Sequence, residues 1–102
     1  MAKPIFTIRD IADLRLVKFE IPGGVTSPLE FAEVVQEIKS QLSGAFVVLL
    51  SGKGPVWGYG MLLHEAHPSQ AIATYDPRLG YIVTQTHDER YQVGQVIGDP
   101  ER

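Results

Sequence analysis

The chain has 102 residues, which is the length of one folded domain. Hydrophobic residues make up 44% of the chain and charged residues 21%, so the composition is that of a globular protein and is too apolar for a disordered one. The formal net charge of −3 argues against a protein that coats long nucleic-acid duplexes, but it leaves room for a small anionic ligand in a local site.

The first third of the chain predicts a hairpin followed by a helix. Residues 4–9 favour a strand, and residues 14–21 alternate in polarity as a half-buried strand does. Ser27, Pro28 and Glu30 together predict a helix start, with a capping box around a proline in the first turn. The apolar face of this helix continues to residue 42, and Ser43 and Gly44 stop it.

The middle of the chain alternates strands with helices. Residues 45–50 are continuously apolar, which is typical of a buried central strand with parallel neighbours. Residues 55–67 predict a second helix, which Pro68 ends. Residues 71–75 and 81–86 predict two strands joined by a turn at residues 76–80. The polar tail from Asp88 onward carries no clear pattern.

The predicted order of elements is therefore ββαβαββ, within a single α/β domain over residues 1–102. The strand–helix–strand–helix–strand series in the middle requires crossover connections and predicts a mainly parallel centre, with antiparallel hairpins at both ends. We expect a small Rossmann-like sandwich. A ferredoxin-like arrangement is the alternative, because it also alternates two helices with strands.

The absence of cysteine excludes a disulfide framework, a thiolate nucleophile and a cysteine-based zinc site. No basic stretch near the N-terminus is joined to a long apolar run, so no secretion signal is predicted. The longest strongly apolar run has six residues, at positions 45–50, and is too short to span a bilayer. We therefore expect a soluble cytoplasmic protein.

The first candidate site is the loop of residues 51–55, between a buried strand and a helix start. Such a helix end binds anions, glycines allow close approach to a ligand, and Lys53 adds a positive charge. Neither the Walker A spacing nor the G-x-G-x-x-G fingerprint is present. The alternative is a tight turn that needs Gly52 and Gly54 for geometry alone. Trp57 is suited either to stacking a nucleobase or to filling the core.

The second candidate site combines histidines with a charged turn. His64 and His67 share one face of the second helix, and His87 follows the last predicted strand. Asp76 and Arg78 lie in the turn between them. These residue types suit metal binding or acid–base catalysis. The alternatives are histidines that compensate the helix dipole and an aspartate that opens a turn.

Four linked segments carry a resemblance to a known family. They read S-G-K-G-P-V-W at residues 51–57, H-E-A-H at 64–67, Y-D-P-R-L-G at 75–80 and Q-T-H at 85–87. In order and spacing they resemble the small ring nucleases associated with type III CRISPR systems, most strongly over residues 45–88. The resemblance implies a manganese-dependent enzyme that binds and cleaves cyclic tetra-adenylate, the signal of those systems, and that also shortens RNA from its 3′ end.

The resemblance also implies roles for individual residues. The residues expected on the ring-binding side are Ser51, Gly52, Lys53, Gly54 and Trp57. Those expected in catalysis are His67, Asp76 and Arg78, and those expected to bind Mn²⁺ are His67, Asp76 and His87. Such proteins are homodimers that hold the ring on one face and carry cleavage residues on the opposite face, so a second dimer completes the site around the ligand.

Two mechanisms and two further functions stay open at this level. A base, either Asp76 or His67, deprotonates a 2′-hydroxyl while Arg78 stabilises the phosphate, or Mn²⁺ activates a water molecule. The second functional hypothesis is a module that binds the cyclic oligoadenylate without cutting it, and the third is a structural role. The expected partners are cyclic tetra-adenylate or short single-stranded RNA and a second copy of the chain, with neither duplex DNA nor a membrane.

Overall fold

In residues 2–102, which the computed structural model describes, six strands form one sheet whose spatial order is the order of the chain. The strands are β1 (Ile5–Ile11), β2 (Leu14–Glu20), β3 (Val47–Ser51), β4 (Ala71–Asp76), β5 (Gly80–Thr86) and β6 (Val96–Ile97). β2, β3 and β4 run parallel to one another. β1, β5 and β6 pair antiparallel with their neighbours.

Two α-helices, α1 (Pro28–Ile38) and α2 (Val56–Ala66), connect the parallel strands. Because both crossovers advance in the same direction across the sheet, both helices pack on the same face. Phe31 of α1 and Leu62 of α2 share one buried cluster with the strands. The predicted cap of α1 is confirmed, since the Ser27 hydroxyl oxygen accepts the backbone N–H of Glu30 at 3.2 Å. None of the helices in residues 2–102 is long and apolar enough to cross a membrane.

The predicted α/β class and the parallel centre with antiparallel ends are confirmed. The ferredoxin-like alternative is wrong, because β2, β3 and β4 are parallel neighbours in chain order, whereas that arrangement interleaves its strands and makes the sheet mostly antiparallel. Two boundaries also differ. The predicted helix face continued to residue 42, but α1 ends at Ile38 and is followed by a 3₁₀ turn, Lys39–Gln41. The predicted central strand began at residue 45, but β3 begins at Val47, which is buried, whereas Ala45 is exposed.

The second face of the sheet is covered by the C-terminal segment, residues 88–102, for which the sequence predicted no structure. On this face Leu49 and Tyr81 are almost completely buried. Tyr91 and Ile97 of the segment pack against this second cluster. The segment also adds β6 to the edge of the sheet, so it completes a core that the helices cannot reach.

Ion pairs join both ends of the C-terminal segment to β1, β2 and the turn between them. Arg90 contacts Asp13, in the turn between β1 and β2, at 3.1 Å. Near the end of the chain, Glu101 bonds to Lys18 of β2 and to Arg9 of β1. The hydrogen bond from Lys18 lowers the pKa of Glu101 and keeps this carboxylate ionised. Because these pairs are exposed to solvent, they orient the segment more than they stabilise it.

We expect Ile97→Ala to lower the free energy of unfolding by about 1–2 kcal/mol, because it removes apolar contacts from the second cluster. Val96→Ala, at the adjacent and largely exposed position, is the matched control and should change stability by less than about 0.5 kcal/mol. Urea unfolding followed by fluorescence measures both. Equal effects of the two substitutions would show that the segment does not complete the core.

Candidate functional site

The loop of residues 51–55 and the turn of residues 76–80 stand side by side at one edge of the sheet. This edge, at the carboxyl ends of β2, β3 and β4, is called the carboxyl edge below. β3 ends there at Ser51 and β4 at Asp76, because Leu50 and Thr74 are paired in parallel register. The predicted position of the loop, between a central strand and the start of α2, is confirmed.

Packing against Phe19 accounts for both glycines of the loop. A Cβ atom on Gly52 would lie 2.5 Å from the Phe19 ring, and one on Gly54 would lie 2.6 Å from it. The Tyr59 hydroxyl donates to the Gly52 carbonyl at 2.6 Å, and burial raises the pKa of Tyr59, which keeps the phenol protonated as a donor. The glycines therefore have a structural reason that needs no ligand, whereas the exposed Lys53 has no carboxylate partner within residues 2–102.

The two other residues expected at the ring-binding side are partly engaged within the protein. Trp57 lies edge-to-face against Phe31 with ring centroids 5.7 Å apart, yet 39% of its surface is exposed. Ser51 follows Leu50, which belongs to the helix-side cluster, so its side chain lies on the opposite face of the sheet. There it faces Tyr81, and its hydroxyl opposes the rise in the Tyr81 pKa that burial causes.

The turn at residues 76–80 is built by its aspartate. The Asp76 carboxylate accepts the backbone N–H groups of Arg78 at 2.8 Å and Leu79 at 3.2 Å. The Arg78 side chain is 86% exposed, and its Nε lies 3.8 Å from Asp76. Asp76 thus has a turn-forming role, and Arg78 presents its guanidinium to solvent beside Lys53's loop.

His67 and His87 meet at the opposite edge of the sheet, called the amino edge below. Their rings are 5.3 Å apart in a T-shaped arrangement, and both residues are exposed. The Gln85 side-chain amide donates to the His67 carbonyl at 3.0 Å, and the His87 N–H donates to the Gln70 carbonyl at 2.8 Å. These bonds join the end of α2 to the end of β5. His64, one turn earlier, is exposed and lines a cavity whose other residues come from α1 and α2.

The predicted catalytic and manganese-binding sets are not assembled within one chain. β4 runs from Ala71 at the amino edge to Asp76 at the carboxyl edge, a rise of about 17 Å for six residues. His67 and His87 are therefore separated from Asp76 and Arg78 by the height of the sheet. Within the described chain, no three His, Asp or Glu side chains are close enough to hold a metal ion. His67, Asp76 and His87 of a single chain are therefore too far apart to bind one Mn²⁺ ion together.

A groove that the sequence did not reveal lies beside the loop of residues 51–55. Its other wall is the connection between β2 and α1, residues 21–26, and its volume is about 320 Å³. Lys53, Thr26 and Trp57 are among the residues that line it. A local signal was present, because the glycines of the Pro22–Gly24 turn follow β2 as those of the 51–55 loop follow β3.

Apolar side chains are also exposed at the carboxyl edge. They belong to the starts of both helices and to the connections between strands, and they are Val25, Leu29, Val56 and Leu79. Val56 is 90% exposed and Leu29 is 78% exposed, so neither has a partner in the core. An edge that combines such side chains with Lys53 and Arg78 offers both apolar and cationic contacts to a ligand.

Comparison with known proteins identifies a family and a relative. The model of a family described as CRISPR-associated protein (Cas_csx3) matches residues 24–98, a range that includes both candidate sites and most of the groove. A protein of Aquifex aeolicus (strain VF5), described as an uncharacterized protein, is 38% identical over 87 residues. The aligned part covers 83% of this chain and 78% of that relative.

We expect Gly52→Ala to lower the free energy of unfolding by about 1–3 kcal/mol, because the added methyl group collides with the buried Phe19 ring. Gly60→Ala is the matched control. Its Cβ would point into open space within α2, so it should raise stability by up to about 1 kcal/mol. Thermal unfolding measures both variants, and a neutral effect of Gly52→Ala would contradict the packing explanation.

Proposed function

The chain belongs to the Cas_csx3 family of CRISPR-associated proteins, and from this premise we propose that it binds and cleaves cyclic tetra-adenylate. The observation that carries the proposal is the exposure of complementary groups at opposite edges of the sheet. The cations Lys53 and Arg78 lie at the carboxyl edge, and the imidazoles of His67 and His87 lie at the amino edge.

The carboxyl edge is the proposed ring-binding surface. Cyclic tetra-adenylate has only four phosphates, so a homodimer that contributes two copies each of Lys53 and Arg78 supplies one cation for every phosphate. The start of α2 adds unpaired backbone N–H groups that favour anions. Exposed Trp57 and Val56 offer apolar surfaces to adenine bases. The overall charge of −3 does not oppose this binding, because the contacts are local.

The amino edge is the proposed source of proton transfer. Imidazole is the side chain used most often for general acid–base catalysis, and His67 and His87 lie near enough to each other to act on one phosphodiester. Since these groups stand about one sheet height from Arg78, the ring must lie between two copies stacked head to tail. The amino edge of one dimer then faces the ring held on the carboxyl edge of the next.

The proposed reaction uses the 2′-hydroxyl of the ring. One imidazole removes the proton from the 2′-hydroxyl, and its oxygen attacks the adjacent phosphorus while the guanidinium of Arg78 stabilises the charge on the phosphate. The bond between phosphorus and the 5′-oxygen breaks, and the second imidazole protonates that oxygen. The products carry a 2′,3′-cyclic phosphate and a 5′-hydroxyl.

The steps above are written without Mn²⁺, whose three predicted ligands lie at both edges of the sheet within one chain. In the proposed stack, a manganese site would need His67 and His87 from one copy and Asp76 from another. Shortening of single-stranded RNA at its 3′ end is proposed as a secondary activity of the same surfaces, since RNA presents the same 2′-hydroxyl and phosphate.

A sensor that binds the ring without cutting it is the second candidate function. It is favoured by the fact that the carboxyl edge of one dimer provides cations and apolar surface by itself, without the histidines of another copy.

Incubation with cyclic tetra-adenylate, with and without Mn²⁺, followed by mass spectrometry, tests the enzyme against the sensor. We expect linear products with 2′,3′-cyclic phosphate ends, and a loss of rate of about 100-fold or more in His67→Ala. Asp76→Asn keeps the acceptor oxygen of the turn and removes the negative charge, so a loss of cleavage rate in this variant would report a chemical role of the carboxylate. Tight binding of an unchanged ring would identify a sensor.

Mixing two inactive variants tests the stacked arrangement. His67→Ala retains Arg78, and Arg78→Ala retains His67, so intact sites form only where the two variants meet. In an equimolar mixture with random assortment, about one quarter of the composite sites are intact, and activity should return to about that fraction. A mixture no more active than the single variants would contradict the stacked arrangement.

A further inference from the structure

The groove between residues 21–26 and the loop of residues 51–55 combines Lys53 and Trp57 of the proposed ring-binding surface with a second wall that the proposed function does not use. It lies at the carboxyl ends of β2 and β3, where ligands collect in sheets with parallel strands. Ile21, Pro55 and Trp57 give it apolar walls, and Lys53 is the cation that lines it. Its volume of about 320 Å³ is in the range of small-ligand sites.

Thr26 provides the second observation. This threonine lines the groove, and its hydroxyl oxygen is buried without a hydrogen-bond partner in the part of the chain that the structure describes. Buried hydroxyl groups are nearly always paired, so an orphaned one at the wall of a groove calls for a partner from outside the chain. A ligand with a hydrogen-bonding edge and apolar faces fits both the hydroxyl and the walls.

The position of Glu20 indicates which part of a nucleotide would enter the groove. The groove continues past Ile21 and Gly24 into a cavity that Glu20 and Lys53 line together. A carboxylate there disfavours a phosphate inside the groove but accepts a hydrogen bond from an exocyclic amino group. Lys53, which is exposed, is left to contact a phosphate from outside.

We propose that this groove is a base subsite that takes one adenine of the cyclic tetra-adenylate. Rotation of the Thr26 side chain turns its hydroxyl into the groove, where it donates to a ring nitrogen of the base. The apolar walls contact the faces of the base, and Lys53 contacts the adjoining phosphate. This assignment rests on the proposed function, and it adds the β2–α1 connection to a site otherwise formed by the loops that follow β3 and β4.

Equilibrium binding of cyclic tetra-adenylate to Thr26 variants tests the subsite. The measurement uses full-length protein carrying His67→Ala, so that cleavage does not intervene. Thr26→Val keeps the shape and removes the hydroxyl, and we expect it to weaken binding about 3- to 10-fold. Thr26→Ser keeps the hydroxyl and should stay within about 3-fold of the parent. Thr7→Val makes the same chemical change on exposed β1 and should leave the affinity unchanged.

Unfolding temperature separates a binding role from a structural one. Because Thr26→Val replaces an unpaired buried hydroxyl with a methyl group, its unfolding temperature should equal or exceed that of the parent. Unchanged ring affinity in Thr26→Val would overturn the subsite and leave the proposed function standing. Failure of the parent protein to bind the ring would overturn both.

Discussion

The parallel pairing of β3 with β4 is the constraint on which the rest of this structure depends. A chain that leaves β3 and re-enters the sheet in the same direction must return along the full height of the sheet. α2 makes that return with 11 residues, a length of about 16 Å. The loop before α2 and the histidines at its end therefore lie at opposite edges, and a reaction that needs both must involve more than one chain.

Aromatic packing beneath the loop makes the carboxyl edge a defined surface. The ring of Phe19 lies 5.3 Å from that of Phe6 and 5.6 Å from those of Phe31 and Tyr59. Held by these neighbours, Phe19 supports the loop from below, while the Tyr59 hydroxyl holds the Gly52 carbonyl from the side. The position of the ligand-facing loop is thus determined by hydrophobic packing that never touches the ligand.

For the binding of a small anionic ligand, the distribution of charge over the surface matters more than the net charge of the chain. In the C-terminal segment, Glu101 pairs with Arg9 and Lys18, and Asp88 pairs with Arg90, so these two acids are already matched by cations away from the carboxyl edge. The hydrogen bonds from Arg90 lower the pKa of Asp88, as those from Lys18 lower that of Glu101. The carboxyl edge retains exposed cations that can meet a small polyanion.

Local patterns in the sequence determined the order of the elements, the cap at Ser27, the buried central strand and the parallel centre, because propensity, capping and periodicity act over a few residues. They also carried the family resemblance. Only the tertiary structure decided that His67 and Asp76 lie at opposite edges, that Phe19 requires Gly52 and that residues 21–26 form a groove. It also placed β6 and the C-terminal segment, whose two-residue strand is too short to show a period. Each of these depends on contacts between residues far apart in the chain, and such contacts exist only once the strands are paired and the helices are packed.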